Sequence, residues 1–177
     1  MTEKIIIAGF GGQGIMSLGQ VLCYSGMKEG RSVSWLPSYG PEMRGGTANC
    51  HVIVSDEDVA SPIVSAADAV IAMNLPSLDK FESRVKPGGR LFINSSLIHK
   101  KAVRDDIEVY YIPANEIAVE LGNSRVAGMV ILGAYLEKSH TVSPDSVMES
   151  LKKVLGKKKE SLIPINRKAM EQGEALI

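Results

Sequence analysis

A glycine-rich segment near the start of the chain carries the first pattern with chemical meaning. Residues 9–14 read GFGGQG, follow the short apolar run of residues 4–8, and open a helical pattern. In that context the glycines allow a tight turn, and the free N–H groups of the helix terminus attract a phosphate. The segment predicts a nucleotide-like phosphate loop or, alternatively, a strand-to-helix turn packed against another chain.

The surroundings of this loop argue against two familiar nucleotide sites. An NAD site requires an acidic residue at the end of the second strand to bind the ribose hydroxyls. That strand is predicted to end near Trp35 and Leu36 without a carboxylate, and Glu29, the nearest, precedes it. No Gly-Lys-Ser/Thr follows the loop, so a Walker A site is also disfavoured.

A second loop, residues 38–46 with the sequence SYGPEMRGG, combines turn formers with a carboxylate, a guanidinium and a phenol. Loops after the second strand of a parallel sheet lie at its carboxyl edge, where ligands and partners dock. Arg44 has the geometry to bind a phosphate or carboxylate with two hydrogen bonds. A purely structural clamp between Glu42 and Arg44 is the open alternative.

The elements that must position these loops are predicted by apolar runs alternating with helical patterns, which indicates an α/β fold with a mostly parallel sheet. The link from Trp35 to Thr47 is too short for a helical crossover, so antiparallel pairing and a mixed sheet are expected. The predicted strands are residues 4–8, 32–36, 47–55, 69–73, 90–94 and 108–112. The predicted helices are residues 13–29, one from Pro76, 114–121, 126–138, and one from Pro144 with Ser143 as N-cap.

Two further patterns refine this outline. The helix over residues 126–136 is apolar almost all round, which predicts burial inside the domain or against a partner. The KPGG sequence at residues 86–89 predicts a turn between a helix and the strand that begins at Arg90.

Length and charge restrict the class of protein. The 177 residues suit a single domain spanning residues 1–177. Because 20 Lys and Arg balance 20 Asp and Glu, no overall field favours nucleic acid or an anionic membrane. The start lacks a signal-peptide pattern, and no run approaches the roughly 18 apolar residues of a membrane span. A cytoplasmic protein is expected.

Cysteine and histidine usage predicts no metal site in this chain. Cys23 and Cys50 are too few for an iron–sulfur cluster held by four thiolates, and we expect both to be buried, inert thiols. His51, His99 and His140 show no metal-ligand spacing and are expected to be structural or solvated.

Taken together, these motifs resemble the gamma subunit of 2-oxoacid:ferredoxin oxidoreductases. The resemblance covers roughly residues 3–155 and rests on five segments: 9–14, 38–46, 61–63 (SPI), 72–80 (AMNLPSLDK) and 115–122 (NEIAVELG). The 2-oxoglutarate branch is the most similar, followed by the pyruvate, branched-chain and indolepyruvate branches.

The resemblance implies a three-layer α/β/α Rossmann-like domain like that of pyruvate:ferredoxin oxidoreductase. It also implies assembly with alpha and beta subunits, which bind thiamine diphosphate, and often with a small ferredoxin-like delta subunit. The magnesium, iron–sulfur clusters and coenzyme A of the complex would lie on these other subunits or be shared with them. The complex would decarboxylate a 2-oxoacid, reduce ferredoxin and release an acyl-coenzyme A. The chain alone is not expected to be catalytic.

Under this resemblance, the two loops form one face that meets the catalytic subunits and helps hold coenzyme A. The residues assigned to coenzyme A or to the interface are Gly9, Gly11, Gly12, Gln13, Gly14, Tyr39 and Arg44. Those assigned to partner contact alone are Gly40, Pro41, Glu42, Gly45, Gly46 and Asn123. A stand-alone nucleotide-dependent oxidoreductase, a non-catalytic binding module, and homodimerisation of the isolated chain remain open.

Overall fold

The structure, a computed structural model, describes residues 1–39 and 47–177. The strands of this part are β1 (Thr2–Phe10), β2 (Ser32–Tyr39), β3 (Thr47–Ser55), β4 (Ala67–Ala72), β5 (Val85–Asn94) and β6 (Glu108–Ile112). The α-helices are α1 (Ile15–Lys28), α2 (Leu75–Phe81), α3 (Ala114–Glu120), α4 (Ala127–Ser139), α5 (Pro144–Leu155) and α6 (Ile163–Glu174). Short 3₁₀ turns occupy Glu82–Arg84, Ser124–Val126 and Lys157–Leu162.

The strands form one mixed sheet in the order β2-β3-β1-β4-β5-β6. Strands β1, β4, β5 and β6 pair in parallel, while β3 runs antiparallel to both β1 and β2. The predicted mixed sheet is therefore confirmed, and β3 is the strand that reverses it. The carboxyl ends of β1, β2, β4 and β5 lie at one edge of the sheet, which we call the carboxyl edge.

Strand β1 shows why the sheet has a core on each face. Successive side chains of a strand point to opposite faces. Ile5 and Ile7 pack with α1 and α4 in one core, while Ile6 and Ala8 pack with α2 in the other. The three-layer α/β/α architecture is confirmed, with unequal outer layers, because α5 and α6 add to the first face.

Helix α4 is buried along its apolar length because it lies between the sheet and α6. Every residue from Ala127 to Leu136 is buried. Glycines allow the two helices to touch backbone to backbone: a Cβ at Gly133 would lie 2.0 Å from the Met170 carbonyl oxygen. A Cβ at Gly173 would likewise collide with the Val130 carbonyl oxygen. The burial predicted for this helix is therefore internal to the chain.

The start of β5 differs from the prediction. The strand begins at Val85 rather than Arg90, and the ladder to β4 shifts register between the pairs Ala67–Val85 and Ala69–Arg90. The KPGG residues bulge out of a continuing strand, with Gly88 at φ 77° and its N–H donating to the Asp106 carbonyl at 2.7 Å. The predicted turn at residues 86–89 is present, but the strand continues on both sides of it.

The start of α5 follows the sequence prediction closely. It begins at Pro144 with Ser143 as N-cap, whose hydroxyl accepts the Ser146 N–H at 3.2 Å.

No helix in the described part of the chain combines the length and apolar character needed to cross a bilayer.

Candidate functional site

The glycine loop joins β1 to α1 through a tight turn that requires glycine at two positions. The Gln13 N–H donates to the Phe10 carbonyl at 3.2 Å, and Gly12 and Gly14 have φ values of 92° and 75°. Residues with a Cβ rarely adopt such positive values. Gly11 does not have a positive φ. The loop geometry thus explains Gly12 and Gly14 but not Gly11.

Gln13 fastens this loop to the neighbouring strand. Its side-chain oxygen accepts the Phe10 N–H at 2.6 Å, and its side-chain nitrogen donates to the Met73 carbonyl at 3.4 Å. A Cβ at Gly9 would lie 2.5 Å from that side-chain oxygen and 2.9 Å from the Met73 Cβ. Gly9 and Gln13 were predicted to bind a ligand, and that role stays a prediction; the structure shows that Gln13 also holds the loop in place and that Gly9 packs closely against it.

Helix α1 begins at the loop with donors that the helix itself does not use. Gly14 is the N-cap and supplies no side chain, and the first turn of α1 contains no acidic residue. The first N–H groups of a helix have no partner within it and carry the positive end of the helix dipole. This end of α1 therefore favours an anion at the carboxyl edge.

A cluster of amides continues the site along the ends of β4 and β5. The Asn94 side-chain nitrogen donates to the Met73 carbonyl at 3.3 Å and to the Asn115 side-chain oxygen at 2.7 Å. Asn94 is fully buried, and its side-chain oxygen has no hydrogen-bond partner within the described residues. An unpaired buried acceptor is costly, so its presence beside the loop points to a ligand or to water.

The second loop begins and ends beside the glycine loop. Thr47 of β3 pairs with Phe10 of β1, and Ala48 pairs with Tyr39 of β2, so both flanks lie at the carboxyl edge. Tyr39 is 53% exposed and Phe10 is 37% exposed. The predicted site residues Gly40, Pro41, Glu42, Arg44, Gly45 and Gly46 lie outside the described residues, as does the Glu42–Arg44 clamp.

The turn before α4 brings a further polar group to the glycine loop. Asn123 was predicted to contact a partner; its side-chain oxygen accepts the Arg125 N–H at 3.0 Å and caps the short 3₁₀ turn. Arg125, which sequence reasoning missed, lines two cavities that adjoin the loop. The polar character of residues 123–125 ahead of an apolar helix was the signal for it.

Both of those cavities adjoin the glycine loop. The first, of about 260 Å³, lies between the loop, α1, α4 and α5. The second, of about 190 Å³, lies between the loop, Met73 and Asn115. Gly12, Gln13, Arg125 and Gly128 line both. The glycine loop therefore borders a mainly apolar cavity formed with the helices and a more polar cavity beside the amide cluster.

Both cysteines are buried, and His51 takes part in a hydrogen bond to the backbone. Burial raises the pKa of both Cys23 and Cys50 to about 12, so neither thiol ionises near neutral pH. The His51 Nδ1 accepts the Val64 N–H at 3.0 Å, and burial lowers its pKa. No group of three or more potential metal ligands occurs among the residues that the structure describes.

Together, the fold and the site define a glycine-loop α/β domain whose carboxyl edge can receive an anion. Strand β2, over the residues that the structure describes, ends without the carboxylate that an NAD site requires. The pyruvate ferredoxin/flavodoxin oxidoreductase family matches residues 4–176. The chain belongs to that family.

Two relatives show how the family arranges this domain. The chain is 37% identical to ketoisovalerate oxidoreductase subunit VorA of Methanothermobacter marburgensis over 96% of its length, but it spans only 35% of that relative. It is 34% identical to 2-oxoglutarate synthase subunit KorC of the same organism, covering 86% of each chain. The domain therefore occurs both as part of a longer chain and as most of a short one.

Solved structures give the same picture. The gamma subunit of a keto/oxoacid ferredoxin oxidoreductase from Geobacter sulfurreducens superposes with a TM-score of 0.83 at 27% identity, over 98% of this chain and 97% of that one. A 2-oxoglutarate:ferredoxin oxidoreductase from Magnetococcus marinus, solved with 2-oxoglutarate, coenzyme A and succinyl-CoA, gives 0.90 at 27% identity over 99% of this chain and 31% of that one. The fold is that of the gamma subunits.

Proposed function

We propose that this chain is the gamma subunit of a multi-subunit 2-oxoacid:ferredoxin oxidoreductase in the cytoplasm. The complex decarboxylates a 2-oxoacid, transfers the electrons to ferredoxin and forms an acyl-coenzyme A, while this chain docks on the catalytic subunits and positions coenzyme A. Its two cysteines are too few for a four-thiolate cluster, so we assign the iron–sulfur clusters, with thiamine diphosphate and magnesium, to the alpha, beta and delta subunits.

The observation that carries the docking role is a set of exposed apolar side chains at the carboxyl edge. Each follows or ends a different strand, and they are Phe10, Tyr39, Leu75 and Leu97. Exposed aromatic and aliphatic groups near a functional edge are typical of protein interfaces. The longer VorA chain supports the same role, because there the equivalent domain is covalently joined to the remainder of a larger subunit.

The role in positioning coenzyme A rests on the donors at this edge. The first turn of α1 and the Arg125 guanidinium suit phosphate groups, and the unpaired Asn94 oxygen suits an amide N–H. Coenzyme A carries both kinds of group. The Magnetococcus marinus structure, which contains coenzyme A, supports this assignment.

For the 2-oxoacid we propose 2-oxoglutarate, because KorC matches this chain over most of both lengths. A branched-chain 2-oxoacid is the second candidate, because VorA is slightly more similar in sequence. The pyruvate and indolepyruvate branches follow.

Co-purification tests the proposed function. The full-length chain, affinity-tagged in its native cells, should elute in a larger complex that contains thiamine diphosphate and iron and reduces ferredoxin with 2-oxoglutarate and coenzyme A. Faster turnover with 2-oxoisovalerate would favour the second candidate. A chain that elutes alone under gentle conditions, without partner subunits, would contradict the assignment.

A further inference from the structure

The end of α5 and the turn that follows it carry a cluster of exposed lysines. Residues 152–159 read KKVLGKKK and contain no carboxylate. Four of these lysines line neither of the two cavities described above, and we call them the lysine patch: Lys152, Lys153, Lys157 and Lys158. All four are exposed, and none forms an ion pair with a carboxylate of the described residues.

The fold itself accounts for only two of these lysines. Lys152 and Lys153 lie in the last turn of α5, where a cation is favourable near the negative end of the helix dipole. The Lys153 Nζ also lies 4.1 Å from the centre of the Tyr24 ring. Lys157 and Lys158 lie beyond the end of the helix, so neither reason applies to them. Because like charges repel one another, such a cluster is typical of a surface that meets an oppositely charged partner.

The lysine patch lies beside the carboxyl edge of the sheet. Leu155, the last residue of α5, and Lys159 line the first cavity together with Gly12 and Gly14 of the glycine loop. The lysines between and just before these two residues therefore flank the edge that carries the exposed apolar side chains. An apolar centre with a polar rim is the usual arrangement of a protein interface.

The opposite end of the strands carries the opposite charge. Strand β3 runs antiparallel to β1 and ends at Ser55, which pairs with Thr2 at the start of β1. The next residues, 56–58, are Asp, Glu and Asp, and all three are exposed. The balanced total charge of the chain thus includes an acidic segment at one end of the sheet and the lysine patch near the other. A chain without net charge has no overall field to attract a nucleic acid, so the patch fits a local acidic surface of a protein better.

We propose that the lysine patch is the charged rim of the subunit interface and faces an acidic surface of the catalytic subunit that docks on the carboxyl edge. The patch attracts that surface before the apolar side chains make contact, and it turns the carboxyl edge toward the partner. Rim charges of this kind raise the rate of association more than they slow dissociation. This role rests on the proposed function, and it adds the chemistry of the partner surface.

Paired substitutions isolate the contribution of the patch. Lys157→Gln/Lys158→Gln removes two charges, and Lys157→Glu/Lys158→Glu reverses them; both positions are exposed, so the core is untouched. The matched control is Lys4→Gln/Lys138→Gln, which removes two charges at the opposite end of the sheet. Neither control lysine forms an ion pair with a carboxylate of the described residues.

The decisive measurement is the rate at which the full chain associates with the remaining subunits of its complex, purified together without it. At about 0.01 M salt, where the Debye length is about 30 Å, the Gln pair should lower the association rate constant about threefold and the Glu pair at least about tenfold. At about 0.15 M salt, where the Debye length is about 8 Å, both losses should be smaller. The dissociation rate should change less than about twofold, and the control pair should associate like the unchanged chain.

Equal association rates for the patch variants and the unchanged chain would overturn the proposal. An equal loss in the control pair would also overturn it, because the effect would then come from net charge alone. Normal association with a raised KM for ferredoxin in the assembled complex would show that the patch binds the electron carrier instead. Normal association with lost binding to a DNA oligonucleotide or to vesicles of anionic lipid would show a polyanion site.

Failure of the unchanged chain to join the remaining subunits would contradict the proposed function, and the interface role of the patch with it. Assembly that proceeds at the same rate in every variant would contradict the role of the patch alone. The two failures are therefore distinguished by the unchanged chain.

Discussion

The carboxyl edge of the sheet differs from the opposite edge, where the amino ends of the parallel strands lie and which we call the amino edge. The difference is in how completely their buried polar groups are hydrogen-bonded. At the amino edge, Glu3 accepts from Arg90 at 2.8 Å and from the Tyr135 hydroxyl at 3.4 Å, and that hydroxyl lies 2.7 Å from the Thr141 hydroxyl. At the carboxyl edge, the Asn94 side-chain oxygen has no partner in the described residues, and the first turn of α1 has no side-chain cap. The polar groups named at the amino edge are therefore hydrogen-bonded within the chain, whereas those at the carboxyl edge are left without partners.

Strand β1 joins the two edges, since Glu3 and Gly9 stand roughly 20 Å apart along it. Buried polar groups are normally satisfied, and departures from that rule collect at functional sites. This difference in hydrogen bonding indicates that the amino-edge residues stabilise the fold, while the carboxyl-edge residues bind a ligand or partner. Variants at the two edges should change different quantities.

The largest effect is expected for Glu3→Ala at the amino edge. The substitution leaves the Arg90 guanidinium without its buried carboxylate, which costs roughly 3 kcal/mol in the free energy of unfolding. Urea unfolding measures this loss, and the KM for coenzyme A of the assembled complex should stay unchanged. A shift of that KM comparable to the shift from a carboxyl-edge variant would break the separation between the edges.

Asn94→Ala is the counterpart at the carboxyl edge. It removes two hydrogen bonds, to Met73 and Asn115, and should lower the free energy of unfolding by about 2 kcal/mol. Because it also removes the unpaired oxygen, the KM for coenzyme A should rise. A variant that loses stability while binding coenzyme A normally would show that Asn94 serves only the fold.

The glycine loop offers a smaller and sharper contrast between adjacent residues. Gly12 has φ 92°, so Gly12→Ala should cost about 1 kcal/mol, whereas Gly11→Ala should cost much less because Gly11 has no positive φ. Thermal unfolding of the two variants measures the difference. Equal losses would mean that the conformation of the loop does not depend on glycine at position 12.

Features set by neighbouring residues were the ones that the sequence predicted well. Strand β3 over residues 47–55, strand β6 over 108–112 and the Ser143 cap all match, because alternation and capping are local properties. The bulge at residues 86–89 was not predictable, because it depends on β4 resuming its pairing beyond the turn. From the local turn residues alone, the sequence predicts a boundary of the strand at this point.

The site was predictable only in part for the same reason. Gly12 and Gly14 follow from the turn itself, but Gln13 faces its own loop and the neighbouring Met73. Asn94 and Arg125 reach the site through the order of the strands and the placement of α4. Single polar residues far apart in sequence carry no periodic signal, so tertiary structure is needed to bring them together.

The smallest effect is expected for Glu3→Gln, and its pH dependence tests how the amino edge is held. Burial raises the pKa of Glu3 above its ordinary value, although the charge of Arg90 acts in the opposite direction. The folded chain therefore holds this proton more tightly than the unfolded chain. Its contribution to stability is complete below the unfolded pKa of about 4.3 and is lost as the pH rises through the raised folded pKa.

Glutamine keeps an acceptor for Arg90 and Tyr135 but cannot titrate. The free energy of unfolding of the unchanged chain minus that of Glu3→Gln should therefore decrease as the pH rises from about 4 toward neutrality. Urea unfolding at a series of pH values gives this difference directly. A difference that increased with pH would show that the ion pair with Arg90 outweighs burial, and the amino edge would then be held by charge rather than by a buried hydrogen-bond network.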